Sequence, residues 1–214
     1  MKRRSMFGRI SAWLGCAALL GLPSGLRSEN GGASTPPIGY EVVGQVLNPS
    51  AQQSLQYGYL NHVRGLNRIT TSAGAPVSEA TALFTFYNDT ATERVINNGP
   101  IRIVDRTGTG TIYLGSGGAD FTNPNSFRSG TPVQSYTLRH QVIIDTSTGY
   151  FTTLFEITVT SAMPFQLDGK TWLLGRRGGI YRLEVGGKLA TQAPPSAYIA
   201  GAADGSGAAV IDFE

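Results

Sequence analysis

Apolar and polar positions alternate most regularly between residues 134 and 161. On an extended chain, Tyr136, Leu138, His140, Val142 and Ile144 share one face, and Thr137, Arg139, Gln141, Ile143 and Asp145 share the other. After Thr146-Ser147-Thr148-Gly149 the pattern resumes. Phe151, Phe155, Ile157 and Val159 fall together, opposite Glu156, Thr158 and Thr160. A period of two over this length predicts two strands, each with a buried and a wetter face. A short loop ending in glycine joins such strands as a hairpin.

Elsewhere β-branched and aromatic residues recur in short stretches bounded by Gly, Pro, Asn and Asp. They predict strands over 41–47, 56–63, 81–88, 92–97, 100–105, 110–114, 170–174 and 179–186, beside the two arms at 135–145 and 149–161. A second hairpin is expected at Asp105-Arg106-Thr107-Gly108, joining Ile101–Val104 to Thr111–Leu114. No window of comparable length carries a helical period, although the stretch Gln52–Gly65 leaves room for a helical turn. Strands at short spacing without intervening helices predict an all-β fold, a single antiparallel β-barrel with a β-sandwich as the alternative. The barrel is favoured because closure needs long tilted arms and removes exposed sheet edges.

The ends of the chain read differently. Lys2, Arg3, Arg4 and Arg9 precede an apolar run from Ile10 to Leu22, which Pro23-Ser24-Gly25 breaks. A basic start, a short apolar run and a small-residue exit form a secretory signal over residues 1–28. Its 13-residue run is shorter than a spanning helix of about 20, so an uncleaved anchor is the alternative. The expected location is exported, periplasmic or extracellular, with a membrane involved only if the segment is retained. Residues 29–39 read as a linker, 40–190 as the barrel domain, and 191–214 as a flexible C-terminal tail. Within that tail, the apolar run at 208–213 is suited to dock as an edge strand or on a partner.

The signal changes the meaning of the charge. The chain has 17 basic and 14 acidic residues and a formal net charge of +3. Five basic residues and no acidic ones lie in residues 1–28, so the remainder carries 12 positive against 14 negative charges, net −2. Its one adjacent basic pair is Arg176-Arg177, which is not the clustered patch of a nucleic-acid binder. Cys16 is the sole cysteine, so a cleaved product has no disulfide, thiolate metal site or thiol nucleophile.

Phe84 to Leu189, about half of the chain, resembles the small eight-stranded barrels of the allene oxide cyclase and dirigent type. The features are the antiparallel meander, the turn Gly115-Ser116-Gly117-Gly118 before Asp120-Phe121, and glycine pairs at Gly178-Gly179 and Gly186-Gly187, expected to close hairpins. The resemblance implies an eight-stranded barrel. Asn123-Pro124-Asn125-Ser126-Phe127 and Gly130-Thr131-Pro132 depart from that pattern, and no catalytic residue is carried over.

Candidate chemistry is sparse. His140 sits on the apolar face of its strand, where an imidazole can meet a ligand or be satisfied by a neighbouring hydroxyl. Tyr136 shares that face. Glu156 lies on the opposite face of the next arm, as an acid in the lumen or as a cross-strand partner of Arg139. His140, Tyr136 and Glu156 are therefore the candidate ligand-binding residues. Arg176-Arg177-Gly178-Gly179 is a possible anion-binding turn or plain solvated charge. Asn88-Asp89-Thr90 fits a glycosylation sequon. No metal or cofactor site is expected, no serine sits in a nucleophile elbow, and Gly115–Gly118 lacks a phosphate loop's lysine. The expected function is an exported binding or interaction module that holds a small apolar ligand or a protein partner. A structural subunit of an exported assembly and a barrel enzyme of the cyclase or isomerase kind are the alternatives.

Overall fold

The computed structural model describes residues 38–212. The expected signal, Cys16 and nearly all of the linker lie outside the described residues. Eleven strands follow in chain order: β1 (Tyr40–Leu47), β2 (Gln53–Val63), β3 (Phe84–Asn98), β4 (Ile101–Leu114), β5 (Thr131–Asp145), β6 (Tyr150–Ala162), β7 (Phe165–Leu167), β8 (Lys170–Leu174), β9 (Ile180–Leu189), β10 (Ala197–Gly205) and β11 (Val210–Asp212). Eight close into an antiparallel barrel in the order β1-β10-β9-β6-β5-β4-β3-β2. The other three make a small sheet, β11-β8-β7. The fold is thus the all-β barrel that the alternating pattern predicts.

The β5–β6 hairpin has its expected register, with Leu138 opposite Ile157 and His140 opposite Phe155. Its apolar face points inward: Tyr136, Leu138, His140, Phe155, Ile157 and Val159 are all buried. The apolar terminus docks as expected, with β11 as an edge strand paired to β8.

Several expectations are corrected. Residues 105–108 form no turn. β3 and β4 are continuous long strands paired from Phe84–Leu114 to Asn98–Ile101, and the chain reverses at Gly99-Pro100, where Gly99 has φ 57°. Asp105 is held across the sheet by Arg94 and Gln141 rather than by a turn. Gln52–Gly65 holds a strand, β2, and no helical turn. Gly186 and Gly187 lie inside β9. The segment expected as a flexible tail supplies β10, which pairs with β1 on one side and β9 on the other. Without it the barrel would not close.

Small residues in β4, β9 and β10 complement large ones. A Cβ on Gly110 would lie 2.3 Å from the Tyr136 ring, and one on Gly187 would lie 2.2 Å from the Phe151 ring. On the outer surface, Phe121 and the buried Phe127 pack against Tyr57, with Tyr57–Phe127 centroids 5.3 Å apart. The 115–130 connection thereby covers part of the outer wall.

One end of the barrel is filled. Tyr40, Tyr136, Tyr181, Phe84, Leu60 and Ile112 are buried there. Tyr40 donates to the Tyr181 hydroxyl at 3.0 Å, and Tyr181 donates to Gln134 Oε1 at 2.9 Å. Gln134 Nε2 donates in turn to the carbonyls of Leu174 and Gly207, both at 2.8 Å. This relay ties β1, β9 and β5 to the end of β8 in the small sheet and to the β10–β11 connection. Every side-chain hydrogen-bonding atom of Gln134 is used. Replacing Gln134 by Met keeps the volume and strands two buried carbonyls and a hydroxyl, so it should cost about 3 kcal/mol or more. For a domain of this size, thermal unfolding should fall by roughly 6–12 °C. A melting temperature equal to that of the parent protein would contradict the relay's structural weight.

Candidate functional site

The opposite end of the barrel is open. Its strand ends come from the finish of β1, β3, β5 and β9 and the start of β2, β4, β6 and β10. Between them lies a cavity of about 60 Å³, or about 470 Å³ with its open mouth counted. The smaller figure is several times the space that one water needs. Val142, Ile144, Phe151, Val185, Ala197 and Ile199 form an apolar wall. Ser54, Gln56, Arg106 and His140 form a polar one.

β-strand alternation places the polar wall. Arg106 and His140 are directly opposite each other in the β4–β5 register and both point inward. His140 is 2% exposed and sits edge-on to Phe155, with centroids 4.6 Å apart. Neither ring nitrogen has a hydrogen-bond partner. Burial, then the neighbouring Arg106 charge, push its pKa down from 6.5 to about 3, so the imidazole is neutral. A neutral imidazole offers one donor and one acceptor.

Gln56 is oriented by its neighbours. Thr90 donates its hydroxyl hydrogen to the Ser54 carbonyl, so it can only accept from Gln56. Gln56 Nε2 therefore faces Thr90 and Ser54, at 3.1 and 2.8 Å, and its Oε1 is left without a partner. Arg106 donates from Nε to the Thr92 hydroxyl at 3.2 Å. Among the described residues no carboxylate lines the cavity or forms an ion pair with Arg106. Burial and Arg102 lower the guanidinium's pKa from its ordinary value, but it stays a cation.

The candidates from the alternating pattern separate in space. His140 is in the cavity wall. Tyr136 is also inside the barrel but toward the filled end, where it donates to Asn88 Oδ1 at 2.7 Å. Glu156 is outside: its side chain is 59% exposed and stands 3.7 Å from Arg139. The lumen is the apolar side of the hairpin, and that puts Glu156 on the outer wall. An exposed pair of this kind contributes little stability. Arg106 and Gln56 are the residues the sequence reading missed. Arg106 was assigned to a turn, whereas the inward alternation Val104-Arg106-Gly108-Gly110-Ile112 would have shown it.

The other motifs are occupied structurally. In the Arg176–Gly179 turn, the Gly178 N–H donates to the Val159 carbonyl and the Gly179 N–H to the Arg176 carbonyl, so neither is free for an anion. Asn88 is buried under Tyr136, which removes the sequon from the surface. Among the described residues no group of three His, Cys, Asp or Glu side chains is placed to hold a metal. The outer face of β5, β6 and β9 exposes Arg139, Glu156, Arg182 and Glu184, unlike the apolar band of a membrane-spanning barrel.

Comparison with protein-family models, curated proteins and solved structures finds no match. The geometry of the open end therefore carries the functional reading.

His140 also couples the site to pH. The unfolded chain binds a proton on this residue near pH 6.5, while the folded chain resists until about 3. Stability is therefore complete above 6.5 and falls as pH drops through that window, by about 1.4 kcal/mol per unit. Asp105, held low by Arg94 and then Gln141, adds its own loss only below the ordinary carboxylate range. Urea unfolding at pH 7.5 and 4.5 should differ by about 2–3 kcal/mol, and His140→Met should flatten the difference. A parent and variant with the same pH slope would contradict the buried neutral state.

Proposed function

We propose that the chain is an exported β-barrel binding module that holds a small, mostly apolar ligand in the open end of the barrel. The export signal of residues 1–28 supports the location. The observation that carries the binding reading is the cavity itself, an apolar wall facing a buried histidine whose two nitrogens have no partner. Leaving such a group unpaired costs about 1–3 kcal/mol, which a bound ligand returns by supplying the missing hydrogen bond. Binding sites commonly combine a concave apolar surface with a few convergent polar groups. The resemblance to allene oxide cyclase and dirigent-type barrels supports the architecture of this reading and assigns no chemistry.

The test is thermal unfolding in the presence of a broad set of small apolar and amphipathic compounds. A ligand at 100 times its dissociation constant should stabilise by about 2.7 kcal/mol, a shift of roughly 5–10 °C. Ala197, buried in the apolar wall, is the residue to enlarge. Ala197→Leu should abolish the shift while leaving the protein folded. Absence of any shift across the set would overturn the reading.

A structural subunit of an exported assembly is the second reading. Tyr150, Leu154, Ile180 and Tyr198 are 47–62% exposed on strands β6, β9 and β10. Apolar groups on an outer wall suit packing against another chain. Light scattering on natively extracted protein should then show a mass above the monomer, and a strict monomer would exclude it.

A further inference from the structure

We infer that the ligand of the open end is a short-chain monocarboxylate, with its carboxylate on Arg106 and its hydrocarbon tail on Phe151, Val185 and Ile199. The inference rests on the binding reading above and adds the chemistry of the head group. Arg106 lines a cavity that contains no carboxylate, and its one observed side-chain bond runs from Nε to Thr92, so its two terminal nitrogens have no hydrogen-bond partner among the described residues. A guanidinium presents its terminal N–H groups in a fork that matches a carboxylate. His140 stands directly across the ladder from Arg106 and can turn one N–H toward the same anion.

The rest of the wall narrows the class. Arg106 is the one cation in the cavity lining, with Arg102 near it but outside that lining. A monoanion is therefore balanced there, and a dianion would carry a charge without a partner in the lining into an apolar cavity. The open acceptor at Gln56 Oε1 repels additional anionic oxygens, which disfavours phosphate esters. A carboxylate can direct both oxygens to Arg106 and His140 and avoid it. An amine would meet Arg106 as a like charge. The apolar wall then requires a hydrocarbon tail, and the small enclosed volume of about 60 Å³ requires a short one that extends through the mouth.

The experiment is calorimetric titration of the full chain at pH 7.5 with hexanoate, hexanol, hexylamine and inorganic phosphate. Hexanoate should bind at least about 10-fold more tightly than hexanol, as a charge-assisted pair predicts. Hexylamine and phosphate should bind more weakly still. Arg106→Met should erase the preference for hexanoate over hexanol, while Arg106→Lys should retain part of it. If hexanol matches hexanoate, the carboxylate assignment fails and the apolar binding reading stands. If none of the four binds and the broader compound set is also silent, the binding reading fails with it. If phosphate binds most tightly, the class of ligand is wrong. Should Arg106→Met not fold, the ligand series on the parent protein and the Arg106→Lys variant still decide the question.

Discussion

The hydrogen-bond relay from Tyr40 through Tyr181 to Gln134 is the constraint on which the rest of the barrel depends. A closed eight-stranded barrel has an interior just wide enough for side chains to fill. Here the filling is uneven, and the relay is the reason. It fixes three barrel strands, the end of β8 and the β10–β11 connection to one another at one end. Three large polar side chains can be buried together because each hydrogen-bonding group has a partner, which is the condition for a polar network to specify rather than weaken a core. The Tyr136–Asn88 bond extends the same arrangement to β3. Toward the opposite end the small side chains of Ser54, Thr153 and Ala197 stand among the larger ones, and the cavity lies between them.

Two kinds of buried polar group therefore share one lumen. At the filled end they are paired within the protein. At the open end His140 and Gln56 retain unpaired atoms while equally removed from water. Buried unpaired groups are infrequent in folded proteins and call for a specific explanation. Among the described residues one further such atom, Asn61 Oδ1, lies away from the cavity. The other three cluster in the cavity wall beside an arginine without a countercharge, and that clustering is what supports the proposed recognition surface.

Much of the fold was legible in the sequence because a strand with one buried face alternates with period two, and β5 from Tyr136 and β6 from Tyr150 do so over most of their length. The signal failed where the barrel uses small residues on its inner face. Gly108 looks like a turn residue, but it and Gly110 lie inside β4, and Gly110 faces Tyr136, where any side chain would collide with the ring. The Ala and Gly of β10 read as a flexible tail, although Ala197 and Ala203 are fully packed barrel residues. A small residue in a strand can mark a large neighbour across the sheet, and sequence alone does not reveal that neighbour. The same error concealed the site: once residues 105–108 were assigned to a turn, Arg106 had no face to point to. His140 was visible because its own strand alternates without interruption, and Glu156 was placed outside by that same alternation.

The electrostatics of the open end follow from those two strands. The β4–β5 register puts a permanent cation beside an imidazole in an apolar enclosure. Burial first, and then the cation, disfavour a charge on His140, so it remains a neutral hydrogen-bonding group across the pH range in which an exposed histidine would titrate. The site consequently holds one fixed positive charge, one neutral donor and one open acceptor, and none of them depends on mild acidity. Arg106 supplies attraction, His140 supplies direction, and Gln56 opposes excess anionic oxygen. In the proposed monocarboxylate site, selectivity would arise from that division because each candidate head group satisfies or violates a different member of the three.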